Sequence, residues 1–87
     1  MITKEEKTTI QEISKKYHAK RVLLFGSSLS IDGNDIDLAV AGVAPKEFYS
    51  FYADLIFSLS KPVDVIDLSV TSKFIQLVQK EGVILYG

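Results

Sequence analysis

The sequence predicts a small α/β (α+β) domain, a mixed β-sheet with helices packed on it. Three observations carry this expectation. Residues 21–25, 35–41 and 62–68 read as short strands. Segments with apolar residues at helical spacing lie before, between and after them. The whole fits in 87 residues, of which 47% are apolar, enough for one core and one domain spanning 1–87.

The elements follow in order. Thr3 with Glu6 three positions later forms a capping-box start. Ile10, Ile13 and Tyr17 then recur at helical spacing, so a helix is expected over about 4–17. Arg21-Val22-Leu23-Leu24-Phe25 is a continuous apolar run stopped by Gly26, the mark of a buried strand. Ser27 to Asn34 is polar and ends in a turn at Asp32-Gly33-Asn34. In Asp35 to Ala41, Ile36, Leu38 and Val40 alternate with Asp35, Asp37 and Ala39. That period of two gives a strand with one apolar face.

Pro45 suits a first helical turn. Phe48, Phe51, Tyr52, Leu55, Ile56 and Leu59 form a broad stripe reaching about residue 60. The aromatic group is too wide for one buried face, so part of it is expected on the surface, for a partner to cover. Pro62 to Leu68 reads as a third strand, and Ser72 caps a last helix over 73–81 ended by Gly82. Val83-Ile84-Leu85-Tyr86 is either a fourth strand or a docking segment.

Composition narrows the chemistry. With no cysteine and one histidine, His18, thiolate and histidine-rich metal sites are out. A bound metal would need carboxylates, which suits Mg²⁺. A net charge of −1 provides no basic footprint for duplex nucleic acid. The polar N-terminus and the lack of a long apolar run point to no membrane span and a cytoplasmic location.

The chemistry-bearing residues lie on or beside the strands. Asp35 and Asp37, two apart, point to one face at a Cβ separation of roughly 6–7 Å. Two such carboxylates repel unless a divalent cation lies between them. Asp64 falls on the third strand, with Val63 and Val65 on the opposite face; beside the pair it would complete a metal site or take a proton. Asp67 is out of register with Asp64. Gly26-Ser27-Ser28 follows the first strand, where a tight bend with free N–H groups and hydroxyls accepts phosphate. Phosphate donors followed by metal-binding acids are the two halves that nucleotidyl transfer requires.

Leu23-Leu24-Phe25-Gly26-Ser27, then Asn34-Asp35-Ile36-Asp37-Leu38-Ala39-Val40, then Val63-Asp64-Val65-Ile66 resembles the signature of the polymerase-beta-type nucleotidyltransferase superfamily. The chain's size is similar to that of the minimal nucleotidyltransferases, many of which are antitoxins paired with helical HEPN-domain toxins. The resemblance implies that Asp35 and Asp37 ligate Mg²⁺, with Asp64 as third ligand or base. Gly26, Ser27 and Ser28 would hold the triphosphate of ATP. It also implies attack of an acceptor hydroxyl on the α-phosphorus; in the antitoxin branch the acceptor is a tyrosine of the toxin.

Two departures from the family pattern favour an alternative, a binding subunit that neutralises or positions a helical partner without catalysis. Only seven residues separate Ser27 from Asp35, and no arginine follows Gly-Ser.

Overall fold

The computed structural model describes residues 2–26, 35–69 and 72–87. The expected turn at Asp32-Gly33-Asn34, and Ser27 and Ser28, lie outside them. In chain order the elements are α1 (Lys4–Lys16), β1 (Arg21–Leu24), β2 (Ile36–Ala41), a 3-10 turn (Pro45–Glu47), α2 (Phe48–Ser58), β3 (Val63–Asp67), α3 (Lys73–Glu81) and β4 (Val83–Tyr86).

Local chemistry explains most boundaries. The capping box forms in full: the Glu6 N–H donates to Thr3 Oγ1 at 3.1 Å and the Thr3 N–H to Glu6 Oε1 at 2.7 Å. α1 stops because His18 takes a left-handed conformation, φ 58°, the usual way a helix is turned off. Pro45 does begin a helical turn, but a 3-10 one, so α2 proper starts three residues after it, at Phe48, where the apolar stripe begins. Ser72 caps α3 by accepting from the Ile75 N–H at 3.1 Å. Asp67 ends β3 by accepting from the Ser69 N–H at 2.8 Å, a local turn contact that gives this acid a structural task. The C-terminal apolar tail is a strand.

The sheet is mixed, in the order β3-β2-β1-β4. β1 runs antiparallel to both β2 and β4, while β2 and β3 are parallel. Period-two alternation divides the strands' residues between two cores. On one face Val22, Leu24, Ile36, Leu38, Val40, Val63 and Leu85 pack with Ile10 and Ile13 of α1 and Phe51 and Leu55 of α2. On the other, Leu23, Ala39 and Leu68 pack against Ile75 and Val78 of α3. Polar ties join the layers: Gln11 Nε2 donates to Leu85 O at 2.9 Å and Tyr52 OH to Val63 O at 2.9 Å. Of the aromatic group on α2, Phe51 is wholly buried and Phe48 and Tyr52 are partly so. Tyr49 and Phe57 stand 84% and 88% exposed. Among the described residues, no helix is long and apolar enough to cross a membrane.

Two partly buried acids couple this packing to pH. Burial alone would raise the Glu6 carboxyl, but the Thr3 N–H and the Lys61 ammonium, 3.2 Å away, outweigh it and hold Glu6 below its ordinary value. Lys16 Nζ at 2.9 Å and Tyr17 OH at 2.8 Å do the same for Asp54. A depressed carboxyl stabilises the fold above its unfolded pKa, and that contribution is lost as pH falls through the folded one. The melting midpoint is therefore expected to drop as pH falls below about 5. A Glu6→Gln/Asp54→Asn double variant should show a shallower decline over the same range in thermal melts.

Candidate active site

The described candidate residues, Gly26, Asp35, Asp37 and Asp64, lie at one end of the sheet, because β1 ends where β2, β3 and β4 begin. β2 and β3 are paired so that Asp37 lies directly opposite Asp64, flanked by Ile36 opposite Val63 and Leu38 opposite Val65. Neighbouring strands lie about 4.8 Å apart, so these two acids are strand-to-strand neighbours on a shared face. That face is the α3 side, since the flanking Ile36, Leu38, Val63 and Val65 all turn to the opposite core. Asp37 is half-buried and Asp64 exposed. Asp35 is exposed and immediately precedes β2, whose first N–H, that of Ile36, donates to Pro62 O at 2.8 Å. This bond fixes the β2–β3 register just where the acids stand.

β1 delivers the bend. The Phe25 N–H donates to Asp37 O at 3.0 Å, carrying the β1–β2 pairing one residue past the strand. Gly26 then adopts φ +65°, and a Cβ placed there would lie 3.0 Å from Asp37 Oδ2. Glycine thus meets two demands: a left-handed backbone and close approach to a carboxylate. Gly26→Ala is expected to cost about 1–2 kcal/mol for the left-handed backbone. It should also displace the Asp37 carboxylate. Melting should fall by roughly 4–16 °C, with a parallel loss of nucleotide affinity in calorimetry.

The residues present suit a hard cation. The donors are carboxylate oxygens, two of them on registered neighbours, with backbone turning tightly alongside. Among the described residues, no three acidic or histidine side chains already form a closed ligand cluster. What the fold brings together is the Asp37–Asp64 pair beside Gly26, with Asp35 one step before the strand.

One feature of this end of the sheet was not anticipated from sequence. Phe25, Gly26, Phe74, Leu77, Val78 and Glu81 line a cleft of about 200 Å³. Its signal was present in the helical spacing of Phe74, Leu77, Val78 and Glu81. That stripe was masked by the adjoining core position Ile75 and by Val78, which serves both the cleft and the core.

A family model for polymerase beta nucleotidyltransferases matches residues 8–87. The chain belongs to that family. No curated protein sequence matches it. Among solved structures, this nucleotidyltransferase domain is similar to a chain in a crystal structure of the toxin–antitoxin MntA–HepT. The TM-score is 0.75 at 23% identity, covering 98% of this chain and 73% of that one. It is similar to a mutant of that complex with two aspartates changed to glutamate, with TM-score 0.77 and 24% identity over 93% of this chain and 72% of that one. A toxin–antitoxin structure with AMP-PNP gives TM-score 0.74 and 26% identity, covering 93% and 73%. The fold is therefore the nucleotidyltransferase fold expected from the Gly-Ser and Asp-x-Asp pattern.

Proposed function

We propose that this nucleotidyltransferase domain binds ATP with Mg²⁺ and transfers AMP to a hydroxyl of a protein partner, acting as the antitoxin of a helical HEPN-type toxin in the cytoplasm. The observation that carries the reading is the pairing of Asp37 with Asp64 across β2 and β3, next to the left-handed Gly26. Similarity to toxin–antitoxin structures, one with AMP-PNP, supports the nucleotide and the partner. The two aspartates changed in the MntA–HepT mutant are two positions apart, the spacing of Asp35 and Asp37.

In this reading Asp35 and Asp37 hold Mg²⁺, and Asp64 serves as third ligand or as base. When bound, Mg²⁺ neutralises charge on the phosphate oxygens and orients them. Gly26, Ser27 and Ser28 hold the triphosphate through backbone N–H groups and hydroxyls. The acceptor oxygen forms a bond to the α-phosphorus, the bond to the bridging oxygen breaks, and pyrophosphate leaves. Where Asp64 acts as the base, it would take the hydroxyl proton.

The test is incubation with α-labelled ATP, Mg²⁺ and the product of the neighbouring gene. Label is expected on the partner, and Asp35→Asn should abolish it. Tight partner binding with no label at any nucleotide concentration would instead establish the second reading, a non-catalytic binding subunit. The seven-residue interval between Ser27 and Asp35 and the lack of an arginine after Gly-Ser favour that alternative.

A further inference from the structure

We infer that the cleft between β1 and α3 is a nucleobase subsite for amino-bearing purines; this rests on the nucleotide reading above and deepens it. The argument begins with the order of groups across one end of the sheet. Asp64 on β3, Asp37 on β2 and Gly26 after β1 follow the strand order β3-β2-β1-β4. The next step in the same direction reaches the junction of α3 and β4. There Gly82 packs against β1, its Cβ position 3.2 Å from Leu23 Cβ. The cleft occupies this last step and shares Gly26 with the acid site. A nucleotide whose phosphates lie at the bend must send its base either outward to solvent or into this cleft.

The lining suits a flat aromatic ligand. Phe25 and Phe74 meet edge-to-face, with centroids 6.0 Å apart and an interplanar angle of 78°. That contact leaves part of Phe74 uncovered; it is 54% exposed and Leu77 50%. Large apolar side chains left half in water beside a polar site are what base stacking uses. A volume of about 200 Å³ is smaller than sites for whole drug-sized ligands, which begin at about 300 Å³. It fits one part of a nucleotide, with the phosphates outside. Glu81 is the cleft's carboxylate. It only accepts hydrogen bonds when ionised, so it complements the exocyclic amino groups of adenine and guanine. Uracil presents two carbonyl oxygens and has no amino group to offer it.

The experiment measures Mg²⁺-dependent binding of ATP, GTP, UTP and base-free tripolyphosphate by calorimetry. The wild-type chain is compared with Phe74→Ala, Leu77→Trp and Glu81→Gln. The first two positions are half-exposed, and melting curves check that each variant remains folded. Wild type is expected to bind ATP and GTP at least about fivefold more tightly than tripolyphosphate, the low end of what stacking contributes. Phe74→Ala and Leu77→Trp should bring ATP close to the tripolyphosphate level. Glu81→Gln should narrow the preference of ATP and GTP over UTP. Equal affinity for ATP and tripolyphosphate in the wild type would overturn the subsite. So would folded Phe74→Ala and Leu77→Trp variants that bind ATP like the wild type. Tripolyphosphate binding with no gain from a base would leave the phosphate site standing while removing the cleft. Absence of binding by every ligand would remove both.

Discussion

Replacing Asp37 by asparagine is expected to weaken Mg²⁺·ATP binding at least about 100-fold, because even residues that only support a metal ligand are worth 10–100-fold. The substitution keeps the side chain's size, so Gly26 still has a polar neighbour at the same position. The Phe25 N–H donates to the Asp37 backbone oxygen, which the change leaves in place. Stability should change little, since a like-charge pair on adjacent strands is relieved and the asparagine amide keeps an oxygen that can accept a hydrogen bond. Lost binding together with a little-changed melting midpoint is the signature of an acid kept for its ligand. A fall in stability with retained nucleotide affinity would mean instead that Asp37 is structural. Titration calorimetry and a thermal melt on the same sample decide between them.

Phe51→Ala should destabilise the domain by about 3–5 kcal/mol. Phe51 is fully buried at the centre of the larger core. Its ring meets Tyr17 edge-on at 5.8 Å and Phe48 at 6.4 Å, so the change empties the α1–α2 junction. Native domains are held by about 5–15 kcal/mol in total, and this one substitution removes a large share. Phe57→Ala on the same helix, at an exposed position, is expected to change the unfolding free energy obtained from urea titration by a few tenths of a kcal/mol at most. Similar losses for the two variants would contradict the placement of the core.

What was legible in the sequence was legible for local reasons. The alternation of Ile36, Leu38 and Val40 with Asp35, Asp37 and Ala39 required a strand with two unlike faces. The Thr3–Glu6 and Ser72 caps fixed helix starts to the residue. The shared face of Asp37 and Asp64 followed once β2 and β3 were neighbours, but their direct opposition needed the parallel register, which no local signal carries. The role of the C-terminal residues was likewise open, because a short apolar run becomes a strand only when a sheet edge is present to receive it. That edge is β1, and it lies about 60 residues earlier in the chain. The aromatic cleft escaped notice for a related reason. Phe25 and Phe74 are distant in sequence and meet only because α3 crosses the sheet face beside Gly26. The acids of the site were visible because period two exposes them; their neighbours across the fold were not.

The central claim is best tested by adding Mn²⁺ with a non-hydrolysable ATP analogue to isotopically labelled protein and recording which backbone amide signals broaden. Paramagnetic broadening should appear first at Gly26, Asp35, Ile36, Asp37 and Asp64, leaving α1 and α2 untouched, and excess Mg²⁺ should reverse it. Broadening centred on the acidic first turn of α1, or spread evenly over the surface acids, would contradict the site.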